Sequence, residues 1–438
     1  MSERLAHHAH PRQTVATGAR RLVGLAVAVS LLSAAAPARA QSVESIVQWH
    51  RVLLTALGVP GALPPTVFPT RPIAMVSVAI FDAANSFDRV YQPYATRAEP
   101  AVGASPDAAV ARAAHDVLAA LFPSQRVVFQ AALATSLAGI APQAARDGER
   151  VGAEVAQAIL ALRANDGWSR PAPAYELPSL PGYWTPTPPA SLPAAFTHYP
   201  EVQGFIIASR DRFLPAGPPP LTSARYATDF NETKAIGAVN SATRTAEQTQ
   251  TARLFAGVGT TTNAFAVWNG LLGNLAPSRG LSGLDAARAF ALMNMAAHDG
   301  FLTTFTGKFL YGLWRPVTAI RQADRDGNAA TEADPEWTPL LTTPPYPGHP
   351  GNMACHGATQ AQVLARIFGR DGVPFQVTWT LADGSGITRP YNGFRQLADE
   401  AAQSRIYGGI HFAFEGLASI GVCNQLADYA VDNYLRVQ

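Results

Sequence analysis

Three features of the sequence predict an all-α fold built from helical bundles. Alanine and leucine are abundant while β-branched runs are rare. Apolar residues recur at a period near 3.6 in one segment after another. Helix start and stop signals bracket those segments. At 438 residues the chain can bury a sizeable core in one large unit or two ordinary ones.

Residues 43 to 58 carry Ile46, Trp49, His50, Leu53, Leu54 and Leu57 at helical spacing and stop at Gly58. Five prolines from Pro60 to Pro72 predict irregular structure, and Ile73 to about Asp88, apolar on most sides, predicts a buried helix. Ser105-Pro106-Asp107 is a capped start for a helix that Pro123 stops after Phe122. Residues 124 to 138 and 142 to 163 repeat the pattern, so this part reads as antiparallel helices with short connections. His50 and His115 fit helix-face or core-edge positions here.

From Ser169 to Pro220 there are thirteen prolines, interspersed with Tyr175, Tyr183, Trp184 and Phe196. The stretch is a linker or an ordered strap over the helices, and the aromatics favour the strap, because a solvated linker has little use for them. Helices resume near Thr222 to Gly237 and Thr245 to Gly257, the second with a Thr245/Gln248 capping box. A deep helix over 283 to 300 ends in His298-Asp299-Gly300. Asp324-Arg-Asp-Gly-Asn328 has Ala329 and Pro335 where a calcium loop needs its glycine and glutamate, and reads as a polar turn. Val377 to Tyr391 predicts a small hairpin around Asp383-Gly-Ser-Gly, and a last helix runs from about Gly409 to Tyr434. The expected organisation is a helical part with its proline-rich strap over 41–220 and a helical bundle over 221–438, joined as one compact unit.

Residues 1–40 read as a signal peptide: Arg20-Arg21 precede the apolar run Leu22 to Ala36, and Ala38-Arg-Ala40 has the form of a cleavage site. The run is too short and poorly flanked for a membrane span, so the expectation is an exported protein, periplasmic or extracellular. The paired arginines leave Sec and twin-arginine routes both open. Without those residues the chain has 28 basic and 30 acidic side chains, which argues against nucleic acid as a partner. Cys355 and Cys423 are the only cysteines, and both the bridged and the free states are compatible with their spacing. Oligomeric state is left open.

The chain has 31 arginines and only two lysines, Lys234 and Lys308. A compact ammonium and a planar guanidinium are not interchangeable around an anion, so the position of Lys308 carries information. Three stretches look like walls of one oxyanion pocket. In Lys308-Phe-Leu-Tyr-Gly-Leu-Trp-Arg315-Pro316 a helix would bring both cations to one face. In Pro344-Pro-Tyr-Pro-Gly-His-Pro-Gly-Asn-Met-Ala-Cys-His356-Gly a proline-stiffened loop enters a helix at Gly351-Asn352, whose amides suit an oxyanion. In Ser404-Arg405-Ile-Tyr-Gly-Gly-Ile-His411, Arg405 can grip an oxyanion and His411 can meet its central atom, with Glu415 on the ring's other nitrogen.

Lys-x6-Arg-Pro, a proline-rich loop into a helix, then Ser-Arg-x5-His resembles the signature of the vanadium-dependent haloperoxidases and the related acid phosphatases of the type 2 phosphatidate phosphatase superfamily. Trp314 to Arg321, Pro344-Pro-Tyr-Pro347 and Pro218 to Tyr226 extend the resemblance, which covers most of 43–438. It implies vanadate or phosphate held by Lys308, Arg315, Gly351, Asn352 and Arg405. His411 would be the axial vanadium ligand or a phosphohistidine nucleophile, supported by Ser404, Glu415 and His298. The implied activity is oxidation of a halide by hydrogen peroxide. The alternatives are hydrolysis of a phosphate ester and oxyanion binding without catalysis. The family's middle motif is Pro-Ser-Gly-His, and the chain has Pro350-Gly351-Asn352-Met353 there. A thioether cannot exchange protons, so His349 and His356, with His298 third, are candidates for the missing acid-base histidine. Phe305 and Tyr346 are candidates for the pocket wall that selects the halide.

Overall fold

Ser42 opens the first helix, its hydroxyl accepting the Ser45 amide, and the helical pattern then repeats through most of the chain. The structure, a computed structural model, describes residues 41–63 and 68–438. The expected signal peptide lies outside them, as do residues 64–67 of the first proline-rich stretch. The helices are α1 (Val43–Leu57), α2 (Thr70–Asp88), α3 (Pro106–Leu121), α4 (Arg126–Leu137), α5 (Pro142–Leu162), α6 (Ala224–Gly237), α7 (Ala246–Phe255), α8 (Ala264–Ser278), α9 (Gly283–Tyr311), α10 (Pro316–Arg321), α11 (Asn352–Ile367), α12 (Phe394–Tyr407) and α13 (Ala413–Asn433). Strands β1 (Phe375–Thr380) and β2 (Gly386–Tyr391) pair antiparallel as the predicted hairpin, with Thr378 opposite Thr388. Among the described residues no helix is long and apolar enough to cross a membrane.

The all-α prediction holds, and the caps explain much of it. Ser105 accepts the Ala108 amide with Pro106 in the first turn, and Thr245 with Gln248 closes both halves of a capping box. Pro72 falls inside the first turn of α2, where a missing N–H costs nothing. The helix α8, for which no signal was identified, starts at Asn263, whose side chain accepts the Phe265 amide.

The helix expected to end at Gly300 instead continues to Tyr311 as α9, 29 residues long. It packs against α1, α2, α11 and α13, and its middle is buried on every side: Phe290, Leu292, Met293, Met295 and Phe301 are all inaccessible. Asp299 does not terminate it. The buried carboxylate accepts the amides of Phe205 (2.7 Å), Ile206 (2.7 Å) and Ile207 (2.8 Å) and so pins the proline-rich segment. Burial pushes its pKa up to about 6 against those three bonds.

The proline-rich segment is an ordered strap. Trp184 N–H donates to Gly312 O (2.7 Å), Trp314 N–H to Gly182 O (2.9 Å) and Ala195 N–H to Pro345 O (2.9 Å). The Tyr175 hydroxyl donates to Phe309 O (3.1 Å), and Phe196 stacks on Phe68. Its hydrogen bonds thus fall on the first and second walls. Asp324–Asn328 is a polar turn: Asp326 accepts the Asn328 amide and the Thr331 hydroxyl.

Cys355 of α11 is bridged to buried Cys423 of α13 across 68 residues of sequence. The bridge ties the helix of the second wall to the one that follows His411. Replacing both cysteines by alanine is expected to cost about 4 kcal/mol through the entropy of the unfolded chain. Urea denaturation of the double variant measures the loss, and an unchanged midpoint would show that the bridge contributes nothing.

Candidate functional site

Lys308 lies one turn from the end of α9, fully buried. Its ammonium donates to three backbone carbonyls of one loop, Pro347 (3.1 Å), Gly348 (2.6 Å) and Pro350 (2.6 Å). An ammonium has three N–H bonds, and the loop takes all of them. In this geometry Lys308 is a clamp on the second wall, with no hydrogen left over for the oxyanion it was expected to meet. Burial and the nearby Arg315 charge push its pKa well below the ordinary lysine range, with Glu415 pulling weakly the other way.

The expectation of a single helix carrying both Lys308 and Arg315 also needs correction. Gly312, at φ 59°, adopts the left-handed conformation and ends α9 with its N–H on Lys308 O (2.9 Å). Arg315 is instead the N-cap of α10, with Pro316 in its first turn. This break redirects the chain so that Arg315 turns inward. Its Nε donates to Tyr346 O (2.7 Å), and its Nη1 to Ile410 O (2.8 Å) and to His411 Nε2 (3.1 Å). Nη2 is buried without a partner.

These contacts determine the His411 tautomer. Arginine can only donate, so His411 Nε2 presents its lone pair and the ring hydrogen is on Nδ1. Nδ1–H donates to Glu415 Oε2. His411 sits before α13, which begins at Ala413 and not at 409 as predicted, and Glu415 is in that helix's first turn. Gly348 packs so closely that a Cβ there would stand 2.7 Å from Glu415 Oε1. Burial, then the charges of Arg315, Lys308 and Arg405, hold His411 neutral with a pKa well below the imidazole range. Burial pushes Glu415 up to about 8 against the pull of Arg315 and Lys308.

Arg405, in the last turn of α12, leaves Nη1 buried and unpartnered. Burial lowers its pKa to about 10. Arg405, His411 and Met353 together line two cavities. One, of about 270 Å³, is walled by Phe68, Phe255, Phe265, Tyr346 and Asn352. The other, of about 250 Å³, is walled by Gly351, Ala354, Leu417 and Ile420. Both reach the start of α11, where no side chain caps the first turn. The Gly351 amide donates to Glu415 O (2.8 Å) and so is not among the helix-start amides left for an anion.

Other predicted site residues do not meet the cavities. His349 donates through Nε2 to Ala216 O (2.8 Å) and packs on Tyr311 and Phe414. Burial holds its pKa at about 4. His356 sits between Phe265 and Phe301 with a pKa pushed down to about 3 by burial. His298 bonds Thr70 (3.1 Å) beside Trp168 and Phe205, and Ser404 bonds Ala401 O (2.6 Å) within its own helix. Tyr346 is more central than its motif position suggested. Its carbonyl holds Arg315, its ring centroid lies 4.8 Å from the guanidinium, and Phe305 packs behind it at 5.1 Å. Phe68, Phe255 and Phe265 come from segments distant in sequence, where no local signal marks them.

The donor set suits a compact oxyanion: two buried guanidinium nitrogens lack partners, and no side chain caps the start of α11 beside them. Among the described residues no cluster of three His, Cys, Asp or Glu side chains is placed to hold a metal cation.

Residues 288–438, which carry every one of these site residues except the aromatics Phe68, Phe255 and Phe265, match the VCPO second helical-bundle domain. The chain is 27% identical to the vanadium chloroperoxidase of Curvularia inaequalis over 34% of its own length, and spans about a third (32%) of that relative. Its fold is that of a bacterial vanadium-dependent iodoperoxidase (TM-score 0.76, 23% identity, 92% of this chain and 99% of that one). A holo-type bacterial vanadium-dependent chloroperoxidase is also similar (TM-score 0.68, 17% identity, 86% and 93%). Residues 288–438, which include the Arg405–His411 wall, thus carry the VCPO second helical-bundle domain, and nearly the whole described chain shares the fold of the bacterial vanadium-dependent haloperoxidases.

Proposed function

We propose that this chain is a vanadium haloperoxidase-like oxidoreductase that binds vanadate and uses hydrogen peroxide to oxidise a halide. The observation that carries the reading is a pair of buried, unpartnered guanidinium nitrogens, Arg315 Nη2 and Arg405 Nη1, beside His411, whose Nε2 accepts from Arg315 Nη1 (3.1 Å). Bound there, vanadate would act as a Lewis acid toward peroxide.

The chain's own groups divide the work. Arg315 and Arg405 neutralise the oxyanion, and the amides opening α11 donate from the helix end. Glu415 accepts from His411 Nδ1–H, which fixes the ring plane and the tautomer, so that Nε2, which accepts from Arg315 in the anion-free site, is the ring atom that would hold the vanadate. Lys308 acts at one remove by holding the carbonyls of the second-wall loop. Met353 moves no proton, and neither His349 nor His356 lines a cavity. The Tyr346 hydroxyl and water are left to carry protons in the larger cavity. Its aromatic walls suit a weakly hydrated halide better than a strongly hydrated one. The Cys355–Cys423 bridge supports an exported protein, since such bridges persist in oxidising compartments.

Calorimetric titration with vanadate tests the reading. Tight binding is expected, weakened at least about 100-fold in His411→Ala, which lacks the imidazole that would hold the vanadate. The wild-type protein is expected to halogenate a phenol indicator with iodide or bromide and peroxide. Phosphate-ester hydrolysis instead would select the phosphatase reading, and binding with neither activity would select a carrier of oxyanions.

Lys308→Met leaves three loop carbonyls without donors. It is expected to lower the stability of the anion-free protein by about 3 kcal/mol or more. A variant that melts like wild type yet loses vanadate affinity would return Lys308 to the role of a direct ligand.

Glu415 supplies a pH signature. Its pKa rises from 4.5 to about 8 on folding, so its contribution to stability is full below about 4.5 and is lost as pH climbs through about 8. Urea midpoints of wild type should therefore fall more steeply over that range than those of Glu415→Gln. Parallel pH profiles would sink the assignment.

A further inference from the structure

Met353 occupies the place where a protonatable group is expected, and it shares the walls of both cavities with Arg405 and His411. It is partly exposed, whereas Met75 (1%), Met293 (0%) and Met295 (0%) are sealed in the core. It is therefore the one methionine among the described residues that a small solute in the cavities can meet. No thiol competes for oxidant there, since both cysteines are bridged.

A thioether is the side chain that peroxide oxidises most readily once thiols are absent. The product differs from Met353 in a way this site would register. A sulfoxide oxygen is a strong hydrogen-bond acceptor, and Arg405 Nη1 is a buried donor with nothing to bond. We propose that Met353 is a peroxide-modified residue whose sulfoxide oxygen engages Arg405 and so competes with the oxyanion, making the site self-limiting under excess oxidant. The step balances: hydrogen peroxide passes one oxygen to the sulfur lone pair, the O–O bond breaks, the sulfur is oxidised by two electrons, and the other oxygen leaves as water. The inference rests on the proposed function for the oxyanion site and for the source of peroxide. It does not need halide turnover.

The test treats the full protein with hydrogen peroxide alone, without vanadate or halide. Peptide mass spectrometry then follows the gain of one oxygen at Met353, Met75, Met293 and Met295. Vanadate and inorganic phosphate affinities are measured before and after. Oxidation is expected at Met353 well ahead of the other three, with affinity for both anions falling about tenfold, the worth of one charge-assisted hydrogen bond. Methionine sulfoxide reductase is expected to restore affinity. Met353→Leu, compared with its own untreated state, should bind equally well before and after peroxide.

Oxidation of Met353 no faster than that of the core methionines overturns the proposal, as does selective oxidation that leaves affinity unchanged. An equal loss of affinity in treated Met353→Leu overturns it too, by placing the lesion elsewhere. If untreated wild type binds neither anion, the oxyanion site of the proposed function fails, and the competition argued here fails with it. That pattern differs from binding that peroxide does not alter, which sinks the Met353 proposal alone.

Discussion

Three positive charges lie close together in the interior, and none of them is ion-paired with a described acid. Lys308 hydrogen-bonds three carbonyls, Arg315 bonds carbonyls and an imidazole, both lie over the Tyr346 ring, and Arg405 keeps a buried nitrogen unbonded. Charges removed from water without compensation are expensive. Here backbone dipoles supply much of the compensation, which requires that particular carbonyls point inward. The loop from Tyr346 to Pro350 and the carbonyl of Ile410 are therefore shaped by the cations they face. Glu415, the nearby acid, is itself raised by burial and committed to His411, so it does not neutralise the group. The remaining imbalance is what a bound oxyanion would relieve.

Holding that arrangement is the task of the surrounding fold. Lys308 and Arg315 leave neighbouring elements because Gly312 turns the chain, and Trp184 and Trp314 bond the strap across that turn. Gly348 lets the loop approach Glu415 more closely than any side chain would allow. The disulfide joins α11, which supplies the helix-start amides, to α13, which supplies Glu415. Cross-linking the two helices limits how far the amides and the His411 support can drift apart. Positional precision at an anion site depends on such support as much as on the donors themselves.

The helices were legible in the sequence wherever caps and period coincided. Ser105-Pro106, Thr245 with Gln248 and the stop at Gly58 are local signals, and each marks the observed boundary within a residue or two. The end of α9 was misread because His298-Asp299-Gly300 looks like a terminus to a local reading, while in the fold Asp299 is occupied by amides of the strap nearly a hundred residues away. Of the candidate site, motif spacing names Arg315, Arg405, His411 and Glu415, which the fold brings into one buried cluster. The inward role of Lys308 did not follow from it, because spacing reports which residues come near a pocket and not how many of a lysine's hydrogens the backbone has already taken. The aromatic wall was beyond local reading altogether: Phe68, Phe255 and Phe265 meet only through tertiary packing.

Anion capture and proton transfer are separable demands, and the site treats them differently. Capture needs donors whose charge is constant, and guanidinium groups remain charged over the working range even when burial lowers Arg405 to about 10. Proton transfer needs a group that titrates near neutrality. The imidazoles available to replace the motif histidine fail this condition, since burial holds His349 near 4 and His356 near 3. The titration that does fall near neutral pH belongs to Glu415, at about 8, and Glu415 is bonded to His411. Ionising Glu415 strengthens its grip on Nδ1–H and makes Nε2 a better donor of its lone pair. Among these groups the one that titrates near neutrality is therefore the partner of His411 and not a separate imidazole, and the thioether at 353 has no protonic duty.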